Sequence, residues 1–402
     1  MNLTNQQLKK VKVVLFLLAL VFSTIGFTLW FMWEIPLLSP LSSLTRFEFG
    51  QAEPTPAADH NKIVYGFLPY WNLDRVEIQP ELTHLAYFGL TIGADGTIVT
   101  QADGGTEPGY RDLNSDELLT LANQVDQNQG QIELVLIQFN NDSIESLVNN
   151  PKAHQNLISS LDSILLAYPI SGINLDIEYL GQADPTLRKN FVQLVKTISQ
   201  HLNTKYQGVS LSIDMYASAA SKEMIWDVGQ IAPHVDWIVV MAYDFHRRSS
   251  PQAGPVAPLF GGKEFWEHDI NYYLSQYLRI VPKHKILLGI PFYGYQWQTD
   301  SPSAQANTYP DTGSTVSMID VEELLSRKNE LQVQVHWHNK ALTPYLTYIK
   351  DGQHYVAYFE NARSISYKLE YVQTLDLAGI AIWALGYEGN SRALWQEIEA
   401  RL

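Results

Sequence analysis

The chain has 402 residues, 46% of them hydrophobic, with 10 Trp, 22 Tyr, 15 Phe, no Cys and a formal net charge of −15. That length and apolar content can bury one large core, and a single barrel domain reaches this size. The negative balance speaks against nucleic acid or anionic lipid as the main partner, because phosphates are repelled, and the lack of Cys excludes disulfides and thiolate chemistry.

A neutral polymer suits such a surface. The aromatic content fits stacking on sugar rings, although core packing absorbs most aromatic residues in any globular chain.

From Val13 to Trp33 the chain is uncharged and mostly apolar (VVLFLLALVFSTIGFTLWFMW). That matches the roughly 20 helical residues that cross a hydrocarbon core of about 30 Å. Lys9, Lys10 and Lys12 precede it, and Trp30 and Trp33 close it. This flanking predicts a transmembrane anchor, with residues 1–12 cytoplasmic, residues 34–60 a Pro/Ala/polar tether, and the remainder at the cell membrane on the extracytoplasmic side. A cleaved signal peptide, giving a secreted protein, is the alternative. It normally has a shorter apolar region, about 7–15 residues, ending in a small-x-small site, and Glu34-Ile35-Pro36 offers none.

Beyond residue 60, short apolar runs alternate with amphipathic stretches. Strands are predicted at Ile63–Pro69, His84–Leu90, Ile132–Asn140 and Ile173–Glu178, then at Val209–Met215, Trp237–Asp244, Ile286–Pro291 and Gly379–Ala384. Each is nearly continuous in apolar residues, as in parallel strands buried on both faces. Helical patterns fill the gaps: one opens at Ser115, one covers Glu264–Ile280, and the clearest opens at Asp184-Pro185. There an N-cap acid precedes proline at the first helical position, and Leu187, Phe191, Leu194, Val195, Ile198 and Leu202 recur on one face. Eight strands with helical crossovers predict an α/β fold, a (β/α)8 TIM barrel over residues 61–402. An open doubly wound sheet is the alternative, but no glycine-rich phosphate loop follows the first strand. Residues 298–365 exceed one crossover helix. A helical piece (Val321–Lys328) and strand-like pieces (Gln332–His338, Leu342–Ile349, His354–Phe359) predict a small α+β insertion between strands seven and eight.

Strand four carries the chemistry. Side chains alternate along a strand, so Asn174, Asp176 and Glu178 share one face while Ile173, Leu175 and Ile177 take the other. Two carboxylates and an amide inside an apolar barrel are costly without a purpose. A purely structural polar layer is the plain alternative. Adjacent buried carboxylates repel, however, and the repulsion raises one pKa, as a general acid near neutral pH requires. Strand six ends Met241-Ala242-Tyr243-Asp244. Alternation sends Tyr243 one way and Asp244 the other unless the strand stops there, and both fall at the catalytic end of a barrel strand.

These residues resemble family 18 glycoside hydrolases. The strand-four segment SGINLDIEY (Ser171–Tyr179) is similar to that family's acidic-Gly-x-Asp-x-Asp-x-Glu signature, and MAYD (Met241–Asp244) to its Met-x-Tyr-Asp. The start YGFLPYW (Tyr65–Trp71), the segment GIPFYGYQW (Gly289–Trp297), the strand-eight Trp383 and the insertion also resemble the family. Within it, the bacterial cortex-lytic and spore-germination type N-acetylglucosaminidases are the most similar branch. Two positions depart from the usual pattern: Ser171 replaces its leading acid, and Asn174 replaces the aspartate two residues before Asp176.

The resemblance implies hydrolysis of β-linked N-acetylglucosamine polymers, with peptidoglycan favoured and chitin next. Glu178 would protonate the glycosidic oxygen, and the 2-acetamido oxygen of the sugar would attack C1 in place of an enzyme nucleophile. Asp176 would hold the acetamido N–H, Tyr243 the acetamido oxygen, and Trp383 would floor the pocket. Asn174, Asp244, Tyr293, Tyr70 and Phe88 complete the implied sugar-binding set. The chemistry implied needs neither metal nor organic cofactor. The implied partner is an N-acetylglucosamine-containing polysaccharide, beside the membrane reached through the N-terminal helix and with no nucleic acid. A glycan-binding lectin barrel is the rival, but lectins of this family typically lose the glutamate at the place of Glu178. A structural module would not place a polar row on strand four.

Overall fold

The computed structural model describes residues 62–389 and 391–402. Seven barrel strands come first: β1 (Ile63–Pro69), β2 (His84–Thr91), β3 (Gln131–Gln138), β4 (Gly172–Ile177), β5 (Ser210–Tyr216), β6 (Trp237–Met241) and β7 (Ile286–Pro291). After an insertion carrying β8 (Gly294–Thr299), β9 (Ser314–Val316), β10 (Gln334–His338), β11 (Thr343–Lys350) and β12 (Gln353–Tyr358), the chain returns as β13 (Gly379–Trp383). Strands β1 to β7 and β13 pair in parallel and close into an eight-stranded barrel, β13 sitting between β7 and β1. Five of the predicted strands start where expected. β4 and β6 stop earlier, at Ile177 and Met241, which leaves Glu178, Tyr243 and Asp244 just beyond strand ends.

The lumen has two unlike sides. Tyr65, Phe67, Ala86, Phe88, Val239, Leu287 and Ala381 pack together as an apolar half from β1, β2, β6, β7 and β13. Strands β3 to β5 instead bury Glu133, Asn174, Asp176, Ser212 and Asp214. Gly172, at the start of β4, is required by this arrangement. A Cβ there would stand 2.0 Å from Ser210 Oγ and 2.6 Å from Glu133 Oε1, inside a hydrogen bond between those two side chains.

Asp184 caps the helix Pro185–Lys205 through the amides of Thr186 and Leu187, and that helix buries the six residues expected to face the sheet. The helix expected over Glu264–Ile280 is shorter, Ile270–Tyr277. Asp269 accepts from Tyr272 N at 2.7 Å and from Gly262 N at 2.8 Å, so it ends a turn and starts the helix at one point. In the insertion, β9-β8-β12-β11-β10 form a five-stranded antiparallel sheet. The sheet begins at Gly294, where a Cβ would meet Tyr358 O at 1.9 Å, so the GIPFYGYQW segment is two strands and not one. On β8, Tyr295 and Trp297 are buried on one face.

The membrane placement drawn from the sequence is corrected. Among the described residues no helix is long and apolar enough to cross a membrane. The longest, the 21-residue helix Pro185–Lys205, carries Arg188, Lys189, Lys196 and Lys205 and buries one face only. The expected anchor Val13–Trp33, its cytoplasmic flank 1–12 and the tether 34–60 lie outside the described residues.

Candidate active site

At the C-terminal ends of the barrel strands lies a cavity of about 380 Å³. Asp176, Glu178, Asp214, Tyr216, Tyr243 and Asp244 supply polar groups to its lining, and Trp71, Phe88, Phe139, Trp383 and Tyr387 supply aromatic ones. β4 delivers the acids in depth order. Asp176 is 4% exposed within the strand, while Glu178 sits one residue past its end at the rim. The Glu178 amide still donates to Gln138 O at 3.0 Å, which holds it in register with β3.

Asp244 reaches the cavity by a different route. Its φ of +59° is left-handed, an uncommon conformation for a residue other than glycine. The turn breaks strand alternation, so Tyr243 and Asp244 both face the cavity. Asp244 Oδ1 accepts from the phenols of Tyr293 and Tyr295, and Arg247 Nε lies 3.6 Å from Oδ2. Tyr293 lies two residues past β7 and Tyr295 lies on β8, so the insertion contributes to the lining of the site.

The site's electrostatics follow from carboxyls withheld from water. Burial, then the charges of Glu178 and Asp214, push the Asp176 carboxyl well above the usual carboxylate range. Burial also raises Glu178, against the pull of the Tyr216 phenol and the Arg247 charge beside it. Tyr243 is raised by burial and by the charges of Asp214, Asp176 and Glu178, so it stays a neutral hydrogen-bonding phenol. Among the described residues, Asp176 Oδ1 has no hydrogen-bond partner. The carboxyl is thus short of hydrogen bonds while its side chain borders the cavity.

The structure brings Glu178, Asp176, Tyr243, Asp244, Tyr293, Trp383 and Phe88 of the expected set to one cavity. Two members do not line it. Asn174 lies beneath the cavity, fully buried, and spends both amide hydrogens on Ser212 Oγ and Asp214 Oδ1, each at 2.9 Å. Tyr70 packs edge-on against Trp71 and fills the space beside Gly89, so its neighbour Trp71 forms the wall. Reading the sequence does not single out Asp214, Tyr216, Arg247 or Tyr295. For the first two a signal existed: Ser210, Ser212, Asp214 and Tyr216 alternate along β5 as a polar row like that of β4.

Comparison with known proteins agrees with this architecture. The profile of glycosyl hydrolases family 18 matches residues 49–388. A Bacillus subtilis glycosylase, YdhD, is 25% identical over 253 residues, covering 61% of this chain and 54% of that protein, so the match spans about half of that relative. The structure of the Ostrinia furnacalis Group IV chitinase superposes with a TM-score of 0.72 at 22% identity, covering 85% of this chain and 97% of that one. That of the Bacillus megaterium spore cortex-lytic enzyme SleL gives 0.66 at 19% identity, covering 87% and 76%. At those identities the superpositions speak to the fold alone. The family assignment rests on the profile, which spans most of the chain and includes both β4 and the end of β6. The chain therefore belongs to the family 18 glycosyl hydrolases.

Proposed function

We propose that this glycosidase cleaves β-linked N-acetylglucosamine polymers by substrate-assisted catalysis, with peptidoglycan favoured over chitin. The observation that carries the reading is the pair Asp176–Glu178, buried and rim-exposed respectively, at the base of an aromatic-walled cavity. In this reading Glu178, its carboxyl pushed to higher pKa by burial, donates its proton to the glycosidic oxygen. The 2-acetamido oxygen attacks C1, and Asp176, whose side chain borders the cavity, accepts the acetamido N–H and balances the charge that develops there. The Tyr243 phenol steadies the acetamido oxygen. Trp383, which meets Phe88 edge-on at 4.7 Å between ring centres, offers a flat face to the sugar.

The resemblance of SGINLDIEY, MAYD and GIPFYGYQW to the cortex-lytic branch supports peptidoglycan as the polymer, and the family resemblance supports the N-acetylglucosamine unit. Product analysis by mass spectrometry on purified peptidoglycan and on chitin oligomers tests this. Fragments ending in a reducing N-acetylglucosamine are expected, more rapidly from peptidoglycan. Efficient hydrolysis of a glucose-based analogue with the same linkage would refute the acetamido-assisted mechanism, since a two-carboxylate site does not need that group.

A further inference from the structure

Strand β4 lacks one carboxyl. Asn174 stands where the family's pattern has an aspartate two residues before Asp176, and an amide can neither take up a proton nor carry charge. The neighbouring strand makes up the loss. Asp214 on β5 is 2% exposed, lines the same cavity as Asp176 and Glu178, and accepts from Asn174 Nδ2 at 2.9 Å. The amide's orientation is set by its two acceptors, Asp214 Oδ1 and Ser212 Oγ. We propose that Asp214 is a positioning residue for the hydrolysis, a carboxyl moved one strand across the barrel that takes over from the aspartate absent at Asn174 and keeps a proton on the Asp176–Glu178 pair. The inference rests on the proposed function, in which Glu178 must enter the reaction protonated.

The groups facing Asp214 come from every side of the lumen. Asp176 and Glu178 are on or just past β4, Glu133 is on β3, Tyr65 on β1, Tyr216 on its own strand, and Tyr243 and Asp244 follow β6. The one cation lining the cavity among the described residues is Arg247, whose Nε lies 3.6 Å from Asp244. Acids therefore outnumber cations around the cavity, and such a group of carboxyls resists ionising together. Glu133 does not compete for the role. Its oxygens are satisfied in place by donors, Tyr65 Oη and Ser210 Oγ at 2.7 Å each and Ser212 Oγ at 3.3 Å, and it does not line the cavity. Asp214, by contrast, has a single hydrogen bond among the described residues, from the amide, and its charge acts directly on Asp176. Burial pushes the Asp214 carboxyl itself above the usual carboxylate range. Once ionised, its charge raises the pH at which the Asp176–Glu178 pair gives up its proton. It thereby extends the range in which Glu178 is an acid.

The test exchanges the two residues. With the full chain, hydrolysis of a soluble N-acetylglucosamine oligomer and its loss in Glu178→Gln are established first, since they belong to the proposed function and not to Asp214. Asp214→Asn is then expected to lower kcat at pH 7 about 10- to 100-fold, to change KM less than about threefold, and to move the alkaline limb of the pH profile at least about one unit to lower pH. A merely structural residue would leave that limb in place. The double variant Asn174→Asp/Asp214→Asn keeps the 174–214 hydrogen bond with donor and acceptor exchanged, and it returns the carboxyl to β4. Recovery of kcat to within about fivefold, with the limb restored, is the expected result. A native-like profile in Asp214→Asn, or a double variant no better than the single one, overturns the proposal. Should Asp214→Asn fail to fold, Asn174→Asp alone carries the test. A second carboxyl beside Asp214 then moves the alkaline limb to higher pH, and an unmoved limb overturns the proposal.

Discussion

The barrel encloses two groups of buried acid, and they are treated in opposite ways. Near the middle of β3, Glu133 is fully buried yet accepts from Tyr65, Ser210 and Ser212, so both of its oxygens have donors. Toward the C-terminal ends, Asp176, Glu178 and Asp214 crowd one cavity, Asp176 Oδ1 has no partner among the described residues, and Asp214 has one donor. Burial alone does not mark a catalytic carboxyl, because both groups are buried and both are pushed to higher pKa by desolvation. The difference is satisfaction. A buried acid with a full set of donors holds strands together, whereas one left short of donors is held ready for a group that is yet to arrive.

The contrast can be broken at either end. The largest effect is expected at Glu178: replacement by Gln keeps the shape but removes the proton, so hydrolysis should fall about 10²–10⁴-fold or more while oligomer binding by calorimetry persists. Turnover near the native level in that variant removes Glu178 from the acid role. Next, Asp176→Ala should cost about 10²-fold in kcat and weaken a thiazoline mimic of the cyclised intermediate by a similar factor, with Tyr243→Phe milder in both assays. Loss of turnover with undiminished thiazoline binding would separate Asp176 from the acetamido group.

At Glu133 the expectation reverses. Glu133→Gln gives up part of a satisfied network, so denaturant unfolding should show a loss of about 1–3 kcal/mol, with kcat at a permissive temperature within about threefold of native. A variant as stable as the native chain would erase the distinction drawn above.

The smallest effect is the most discriminating. Asp176 has its folded pKa raised, so the folded state binds its proton more tightly than the unfolded chain does. Stability is then greatest below the ordinary carboxylate range and declines as pH rises toward the raised value. Asp176→Asn has no such proton to lose. Between about pH 5 and 8 its Tm should fall less steeply than that of the native chain and exceed it at the alkaline end by about 2 °C. A Tm below the native one across that range would mean that Asp176, like Glu133, stabilises the fold.

Much of this was legible along the chain. Parallel strands buried on both faces must be apolar nearly throughout, and that made all eight barrel strands visible as runs. Asp184-Pro185 announced its helix because a cap and a proline act locally. The β4 row of Asn174, Asp176 and Glu178 was visible because acids inside such a run have no cheap explanation. What misled was also local. Periodicity over Glu264–Ile280 read as one helix, yet the start is decided by Asp269 reaching back to Gly262. The apolar run Val13–Trp33 invited a membrane placement that finds no spanning helix among the described residues.

The sequence by itself determined the fold class, the family and the acid pair on β4, because each is written in the period and composition of a single segment. Only the tertiary structure decided which polar residues share a space. It buried Asn174 beneath the floor and brought Asp214 beside it from β5, 40 positions away. The left-handed turn at Asp244 put that residue and Tyr243 in one cavity despite their opposite strand parity. Tyr295 reached Asp244 because closure of the barrel sets the insertion over the end of β6. Such pairings depend on strand register and barrel closure, which are collective properties of the whole sheet, so no local pattern in the chain encodes them.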